Sequence, residues 1–579
     1  MQKRWRMVES VAPALSAVEG FPQFHPVAVR LLANRGITDA TDAEAFLNPD
    51  WETGIHDPFL FSRMREAVGR AFEAIEIGER IAVHGDYDAD GVTGTAVTVG
   101  ILRDVASRSG RDPRLVEWYI PHRNTEGYGL NRDTVAKLKE RGVTLIVTVD
   151  CGIASMEEIA LARKEGMDVI VLDHHAFGEA LPDAILVHPR LPGETYPFGH
   201  LAAVGVAWKF ACAFAAEARA RGIDIPIGTE KWMLDLVSIA TVTDMVTLTG
   251  ENRVLLTYGL VVLNKTRRDG LRRLVLNAGK SFGSLDSESI GYSLGPRINA
   301  AGRMEHASLA LRLVLAETAE DAEALASELE VLNRSRQAAT ERMLREAEQM
   351  LADQEADRIV AVWHPDWAPS LVGLVAGKLM DRTGKPCVAI GRNGDAWIGS
   401  GRSPSAYDIT AALRRCGDGI LTRVGGHSQA CGFSAVDDDG IRQLAERLRV
   451  DAGERLTDED VIPAIDVDAE LALDDVDWRL VETLKRFEPF GVGNPRPLFL
   501  SKNLEVAESG LVGQSGNHVR CTLRSPTGRT QRFIGFKFGM RLDDIAVGNR
   551  VDVVYDVGVN EWNGRTDIQC SIVDFRPSV

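Results

Sequence analysis

Three short apolar runs each end in residues able to hold a cation: IAVHGDYDAD at 81–90, VTLIVTVDC at 143–151 and DVIVLDHH at 168–175. The first presents His84, Asp86, Asp88 and Asp90 at alternate positions, so their side chains share one face while the chain stays extended. Gly85 and Gly91 let the backbone turn closely around an ion or a phosphate. The second run ends on Asp150, and the third on Asp173, His174 and His175. Hard carboxylate oxygens suit Mg²⁺ or Mn²⁺, and the imidazoles move the preference towards Mn²⁺ or another transition metal. Without a cysteine cluster, structural zinc is not expected. Two ions about 3.5–4 Å apart can stabilise the entering and departing oxygens of an in-line displacement and make hydroxide available near neutrality. Phosphoester hydrolysis is the reaction such a site predicts. Taken singly, each motif has a bland explanation. A DxDxDG segment is often a calcium loop, but the Glu expected later in such a loop is missing and an apolar strand precedes it. A lone His pair is usually incidental. Their combination is what points to a metal centre.

For these clusters to meet, the runs must be parallel strands, whose carboxyl ends line one edge of a sheet. From about 60 to 250, strands alternate with helical patterns such as GVTGTAVTVGILRDVASR and IASMEEIALARKEG, which predicts a doubly wound α/β layer. Residues 204–217 and 231–244 read as further helices, the second carrying Asp244 near its end. No glycine occurs between Gly302 and Gly373, and the Ala-, Leu-, Glu- and Arg-rich stretch between them predicts helices ending in a long connector. A second α/β domain follows, with RIVAVWHP and CVAIGR as strands around the helix SLVGLVAGKLMDRTG. After about 460, NLEVAESGLV, HVRCTLRS, QRFIGFKF, RVDVVYDVGVN and DIQCSIVDF alternate with period two, as five short strands of an OB-type barrel would. The expected fold is α/β: two α/β domains joined by a long helix, then a C-terminal β-barrel. The expected boundaries are 1–55 for a helical lead-in, 56–303 for the catalytic domain, 304–355 for the connecting helices, 356–455 for a substrate-binding domain and 456–579 for the barrel.

At 579 residues the chain exceeds one core, and its 45% hydrophobic, 26% charged composition is that of a globular protein. A net charge of −17 disfavours blanket nucleic-acid binding but allows a local basic groove. Seven scattered cysteines without a CxxC pair suggest reduced thiols in a cytoplasm rather than a disulfide framework. The basic residues of MQKRWRMVESVAPALSAVEG are not followed by a continuous apolar stretch, so no signal peptide is expected. No run approaches the roughly 20 apolar residues that span a bilayer, so no membrane partner is expected.

The motifs VHGDYDADGVTGT at 83–95, VTVDCG at 147–152, VLDHH at 171–175 and TVTDMV at 241–246 resemble, in this order, the DHH phosphoesterase superfamily. With PHRNTEGYGL at 121–130, LGPRINAAGR at 294–303, SGRSPSAYDI at 400–409, VGGHSQACGF at 424–433 and EPFGVGNPRPLF at 488–499, nearly the whole chain resembles its RecJ exonuclease family. No catalytic motif is broken. The resemblance implies DHH and DHHA1 domains and an OB-fold. It implies one ion on Asp88 and Asp150, with His84 or Asp86 nearby, and another on Asp90, Asp150, His174 and Asp244, with Asp150 bridging. His175 would contact the scissile phosphate or support the attacking water, and Asp173 would orient His174. It also implies a catalytic set of Asp88, Asp90, Asp150, His174, His175 and Asp244, and 5′-to-3′ digestion of single-stranded DNA to mononucleotides in recombination and repair. Association with single-strand DNA-binding protein and a helicase belongs to the same implication; a monomer is expected.

In the second domain, Gly425 and Gly426 permit close approach to a phosphate, with His427 as donor and Gln429 beside it. Arg402, flanked by Ser400 and Ser403, and Arg123, Arg297 and Arg303, with Asn299 between the last two, supply groups that match phosphate geometry. Tight turns and surface ion pairs are the bland alternatives. NKTRRDGLRR at 264–273 and NRSRQAATER at 333–342 concentrate positive charge, and Arg520, Arg532, Phe533, Phe536, Lys537 and Trp562 are barrel candidates for a single strand, several of which must be core. The rival readings are a DHH-type phosphatase or short-oligonucleotide hydrolase, which would not need the barrel, and a non-catalytic single-strand DNA-binding scaffold.

Overall fold

A parallel five-stranded sheet carries the three ligand-bearing runs. In this computed structural model, residues 3–8, 25–351, 354, 356–435, 437–513, 516–562 and 564–578 are described. The chain divides into two units, one of Ile55–Val246 and Leu255–Pro463, the other of Met1–Gly54, Thr247–Val254 and Ala464–Val579.

In the first unit, strands β1 (Arg80–Gly85), β2 (Val116–Tyr119), β3 (Val143–Val149), β4 (Asp168–Leu172) and β5 (Ile185–Val187) run parallel in the order β2-β1-β3-β4-β5. Their Val- and Ile-rich runs are buried almost throughout, as strands covered on both faces require. The order reverses between β1 and β3, and that switch point opens a crevice at their carboxyl ends. Helix α1 (Ala89–Arg108) leaves β1 through an N-cap in which Asp88 accepts from the Asp90 and Gly91 amides. Its small residues allow close packing against α2 (Ala203–Ala220), and α3 (Leu234–Thr243) ends on Asp244 as its C-cap. A π-helical turn, Ile290–Leu294, runs directly into α4 (Gly295–Met304), and α5 (Ala319–Met350) is the long connector, 32 residues in length.

The second sheet of this unit has the order β9-β10-β8-β7-β6, built from β6 (Val360–Trp363), β7 (Cys387–Asn393), β8 (Ala396–Arg402), β9 (Leu421–His427) and β10 (Ala430–Ala435). Helix α6 (Pro369–Thr383) links the parallel pair β6 and β7; the other pairings are antiparallel.

In the other unit, β11 (Ala469–Glu470), β12 (Phe499–Val512), β13 (His518–Arg524), β14 (Thr530–Gly535), β15 (Arg550–Trp562) and β16 (Arg565–Pro577) form a sheet closed by pairing of β12 with β15. This is the expected barrel, although β12, β15 and β16 run to 13 or 14 residues rather than being short. Phe499, Phe533 and Tyr555 fill its core together with Leu31, Leu32 and Phe46 from the N-terminal helices. Those helices are too small to bury a core of their own, so they share the barrel's. The strand Arg4–Met7 likewise pairs with Ala464–Val467. The expectation about a signal peptide falls largely on residues outside those described. Among the described residues no helix is long and apolar enough to cross a membrane.

Arg253 is the least expected member of this unit. It is 1% exposed, and its guanidinium donates to the carbonyls of Phe46, Arg486, Phe487, Glu488 and Pro489 while lying 4.0 Å from the Phe46 ring centre. Burial, and then the charge of Arg35, lowers its pKa to about 10. Arg253→Ala would strip several buried carbonyls of their donor at once. It should cost about 3–5 kcal/mol in denaturant unfolding, whereas a loss under ~1 kcal/mol would show that water replaces the guanidinium.

Candidate metal centre

Each acidic residue is placed by the backbone that precedes it. Asp86, Asp88 and Asp90 lie on the turn from β1 into α1; a methyl on Gly91 would stand 2.5 Å from the Asp86 backbone nitrogen and oxygen, so only glycine lets the turn close. Asp90 is fixed twice over, because its carboxylate accepts at 2.8 Å from both the Ala203 and Val204 amides at the start of α2. A helix N-terminus is a favourable seat for a carboxylate. Asp150 ends β3 in the left-handed region, at φ 63°, with its carbonyl accepting from Tyr128 Oη at 3.0 Å. A non-glycine residue is held there only when its surroundings demand it.

The side chains converge in three overlapping groups, Asp86–Asp88–Asp150, Asp90–His174–Asp244 and Asp150–His174–His175, each with ligand atoms within 4.8 Å of one another. His174 Nε2 lies 3.4 Å from Asp150 Oδ1, 3.6 Å from Asp244 Oδ2 and 3.9 Å from Asp90 Oδ2. Asp150 is the acid that belongs to two of these groups. His84 stands outside all three: it is fully buried, beside Cys151 Sγ at 3.5 Å and stacked on Tyr119. Its Nε2 is buried without a hydrogen-bond partner. Asp173 reaches a different partner from the one expected. Its Oδ1 accepts from the His174 and His175 amides and meets His175 Nδ1 at 2.8 Å, so the ring it orients is that of His175.

Burial, and then neighbouring carboxylate charge, pushes Asp90 up to about 7 and Asp86, Asp150 and Asp244 well above the carboxylate range. Burial lowers His174 to about 3. Burial opposes the charged forms of Asp173 and His175 too, but their mutual hydrogen bond outweighs it, holding Asp173 at about 2 and raising His175. Asp86 Oδ1, Asp150 Oδ1 and His174 Nε2 are buried without a hydrogen-bond partner. Buried polar atoms are rarely left so, and a divalent cation among these donors would satisfy them. The residues therefore fit a divalent metal site.

The residues expected at substrate are more dispersed. Arg303 donates to the Ser370 carbonyl, and Arg402 to Ser400 Oγ, while Arg123 lies over the Tyr87 ring. Burial, then repulsion from Arg123 and Arg336, lowers Arg303 to about 9, so these arginines form one positive field, which Asp88 partly offsets. Gly425, Gly426, His427 and Gln429 are exposed around the end of β9, with Gly426 at φ 138°. Arg297, Asn299 and Ser403 have structural partners instead: Glu330 at 2.7 Å, the Ala89 amide at 2.8 Å and the Tyr407 carbonyl at 2.7 Å. Four of the eight cations in the basic runs are paired with acids, through Arg268–Asp235, Arg273–Glu323, Arg334–Glu330 and Arg342–Glu346. In the barrel, Phe533 is core and Phe536 is 55% exposed, Arg520 and Arg532 border a cavity of about 310 Å³, and the Trp562 side chain lies outside the described residues.

The chain matches the DHH family, N-terminal domain, over 80–241, the DHHA1 domain over 356–450 and the RecJ OB domain over 467–574. It is 38% identical over 553 residues to the single-stranded-DNA-specific exonuclease RecJ of Bacillus subtilis (strain 168), covering 95% of this chain and 68% of that protein. The chain belongs to the RecJ family. It is 31% identical to the RecJ of Escherichia coli (strain K12), over 95% of this chain and 96% of that one. The crystal structure of RecJ in complex with Mn²⁺ from Thermus thermophilus superposes with a TM-score of 0.82 at 30% identity, covering 100% of this chain and 80% of that one.

Three further residues, none of them singled out by sequence, support this RecJ-family site. Tyr128 Oη, besides holding Asp150, lies 3.2 Å from His175 Nδ1. His188 Nε2 donates to the His175 carbonyl at 2.8 Å, and Arg190 donates to the His174 carbonyl. His188 and Arg190 follow β5, whose three residues are too few to register as a strand, so a fourth imidazole at a strand end went unread.

Protons and cations compete for the same oxygens. Because Asp90 is raised in the folded protein, its stabilising protonation is present at low pH and is lost as pH rises through about 7. The gain in melting temperature on adding Mn²⁺ should therefore be larger at pH 8 than at pH 6, with proton release in calorimetry. Equal gains at both pH values would refute competition at this carboxylate.

Proposed function

We propose that this protein is a metal-dependent exonuclease that hydrolyses single-stranded DNA from the 5′ end, releasing mononucleotides in recombination and repair. The observation carrying this reading is the convergence of Asp86, Asp88, Asp90, Asp150, His174 and Asp244 around buried, unpartnered ligand atoms. Mn²⁺ or Mg²⁺, as two ions, would be held by these residues, with Asp150 shared between them. Bound there, the ions would supply positive charge against that developing on a phosphodiester.

The chain's own residues do the rest. His175, with Nδ1 committed to Asp173, keeps Nε2 free to hold or accept a proton at the reacting phosphate. Arg123, Arg303 and Arg402, with Ser400 and His427, would seat backbone phosphates between the two α/β domains, and the barrel would hold single strand through its own face. The division into residues 56–303 for catalysis, 356–455 for substrate binding and 456–579 for the barrel belongs to this proposal. Seven free cysteines, six of them buried, favour a reducing cytoplasm. A monomer working beside single-strand DNA-binding protein and a helicase completes the reading.

The test is degradation of single strands labelled at either end, with Mn²⁺, Mg²⁺ or chelator. Early release of the 5′ label as a mononucleotide, only with metal, is expected, and equal attack from both ends would overturn the polarity. Asp150→Ala should lower turnover by at least about 1,000-fold while strand binding survives. Residual nuclease activity near the wild-type level would remove Asp150 from the centre. A short-oligonucleotide hydrolase would instead turn over dinucleotides as fast as long strands.

A further inference from the structure

Along the connector α5, Leu329, Asn333, Arg336, Thr340, Met343 and Ala347 recur at intervals of four, three, four, three and four residues, which places them on one face. The other five are buried; Arg336 is half-buried, with its Nε enclosed and without a hydrogen-bond partner. Its Nη2 donates to Asn333 Oδ1 at 3.0 Å. An arginine at an inward helix position usually meets a carboxylate, because an unpaired guanidinium is costly to bury. Among the described residues, Arg336 meets none.

What faces it is more positive charge. Helix α4 packs along α5, with Arg297 Nε on Glu330 Oε2 at 2.7 Å and Met304 against the apolar cluster that holds Met343 and Leu344. Arg336 falls between these two contacts, opposite the half of α4 that carries Arg303. Among neighbouring charges, that of Arg336 is second only to Arg123 in disfavouring the charged form of Arg303. Arg303 and Arg402 both bear on the N-terminal end of α6: Arg303 donates to the Ser370 carbonyl at 2.8 Å, and a methyl on Gly373 would lie 3.2 Å from Arg402 Nη2. Arg402 itself donates to Ser400 Oγ and the Gly401 carbonyl. Glu330 offsets Arg297, whereas Arg303, Arg336 and Arg402 have no carboxylate bonded to them among the described residues, beyond the partial offset of Arg303 by Asp88.

Like charges gathered without acids are poised for an anion, and a guanidinium fork matches two oxygens of a phosphate. We propose that Arg336, on the connector helix, binds a phosphate of the single strand beside Arg303. The inference rests on the exonuclease reading above and adds to it a contact from α5. The phosphate takes the place of the carboxylate that the fold withholds. Removing Arg336 therefore relieves repulsion in the free protein and weakens the complex.

The experiment measures binding of a labelled single strand by fluorescence anisotropy over a range of NaCl concentrations, in Asp150→Ala protein so that nothing is cleaved. Arg336→Gln and Arg336→Met in that background should each weaken binding about 10-fold and lower the slope of log Kd against log salt by about 0.7, as loss of one phosphate contact does. Arg336→Lys should keep the slope. Arg334→Gln, which removes a cation already paired with Glu330, should change affinity less than ~2-fold. The melting temperature of the free protein should hold or rise in Arg336→Met. An unchanged slope in the two neutral variants would overturn the proposal even if affinity fell. A fall in melting temperature of more than about 3 °C in both would also overturn it, because that marks a structural arginine. So would an equal loss of deoxyadenosine 5′-monophosphate binding, which would put the contact on the released product rather than on the strand. Failure of the Asp150→Ala parent to bind any single strand would instead overturn the exonuclease reading, before any change at Arg336 is made.

Discussion

The structure is organised around one electrostatic constraint: several carboxylates are buried at a single edge of a sheet, with too few nearby protein cations to balance them. Asp86, Asp90, Asp150 and Asp244 are raised by desolvation first and by neighbouring carboxylates second. Such a cluster is costly for the fold unless cations occupy it. The surrounding architecture reads as a set of devices for holding it regardless: the α2 N-terminus under Asp90, the cap formed by Asp88, the left-handed Asp150 tied through Tyr128, and the acid at the end of α3. The histidine pair is restrained in the same way, by Asp173 from below and by His188 and Arg190 at its carbonyls.

Positive charge is segregated rather than abundant. The chain carries −17 overall, yet Arg123, Arg336 and Arg402 all lie close enough to Arg303 to lower its pKa. In the basic runs that look most conspicuous in one dimension, Arg268 and Arg273 pair with acids of other helices and Arg334 pairs with Glu330 one turn back on its own helix. A polyanion approaching this surface would thus be attracted at a defined place, the crevice, and repelled elsewhere. That division suits a nuclease better than a general coating of lysine and arginine would.

Much of this was legible in residue order. Apolar runs ending in acids report parallel strands, because burial on both faces demands continuous Val and Ile, and the chain can turn polar only at the sheet edge. The barrel strands were legible from alternation, which one wet face enforces. Other features were not. His84 alternates correctly with Asp86 and Asp88 yet joins none of the ligand groups, since alternation cannot say where the strand stops and the turn begins. β5 was too short to read, so His188 and Arg190 were missed. The N-terminal helices share a core with the barrel at the opposite end of the chain, which no local pattern encodes.

The sequence alone determined which groups could do chemistry, that they sit at strand ends, and that two α/β layers precede a barrel, because these follow from local periodicity and ligand type. Tertiary structure decided which ligands meet, which imidazole Asp173 holds and which arginines are tied to protein partners. Those outcomes depend on distances between elements far apart in the chain, set by packing and by helix phase, and one-dimensional order does not contain them.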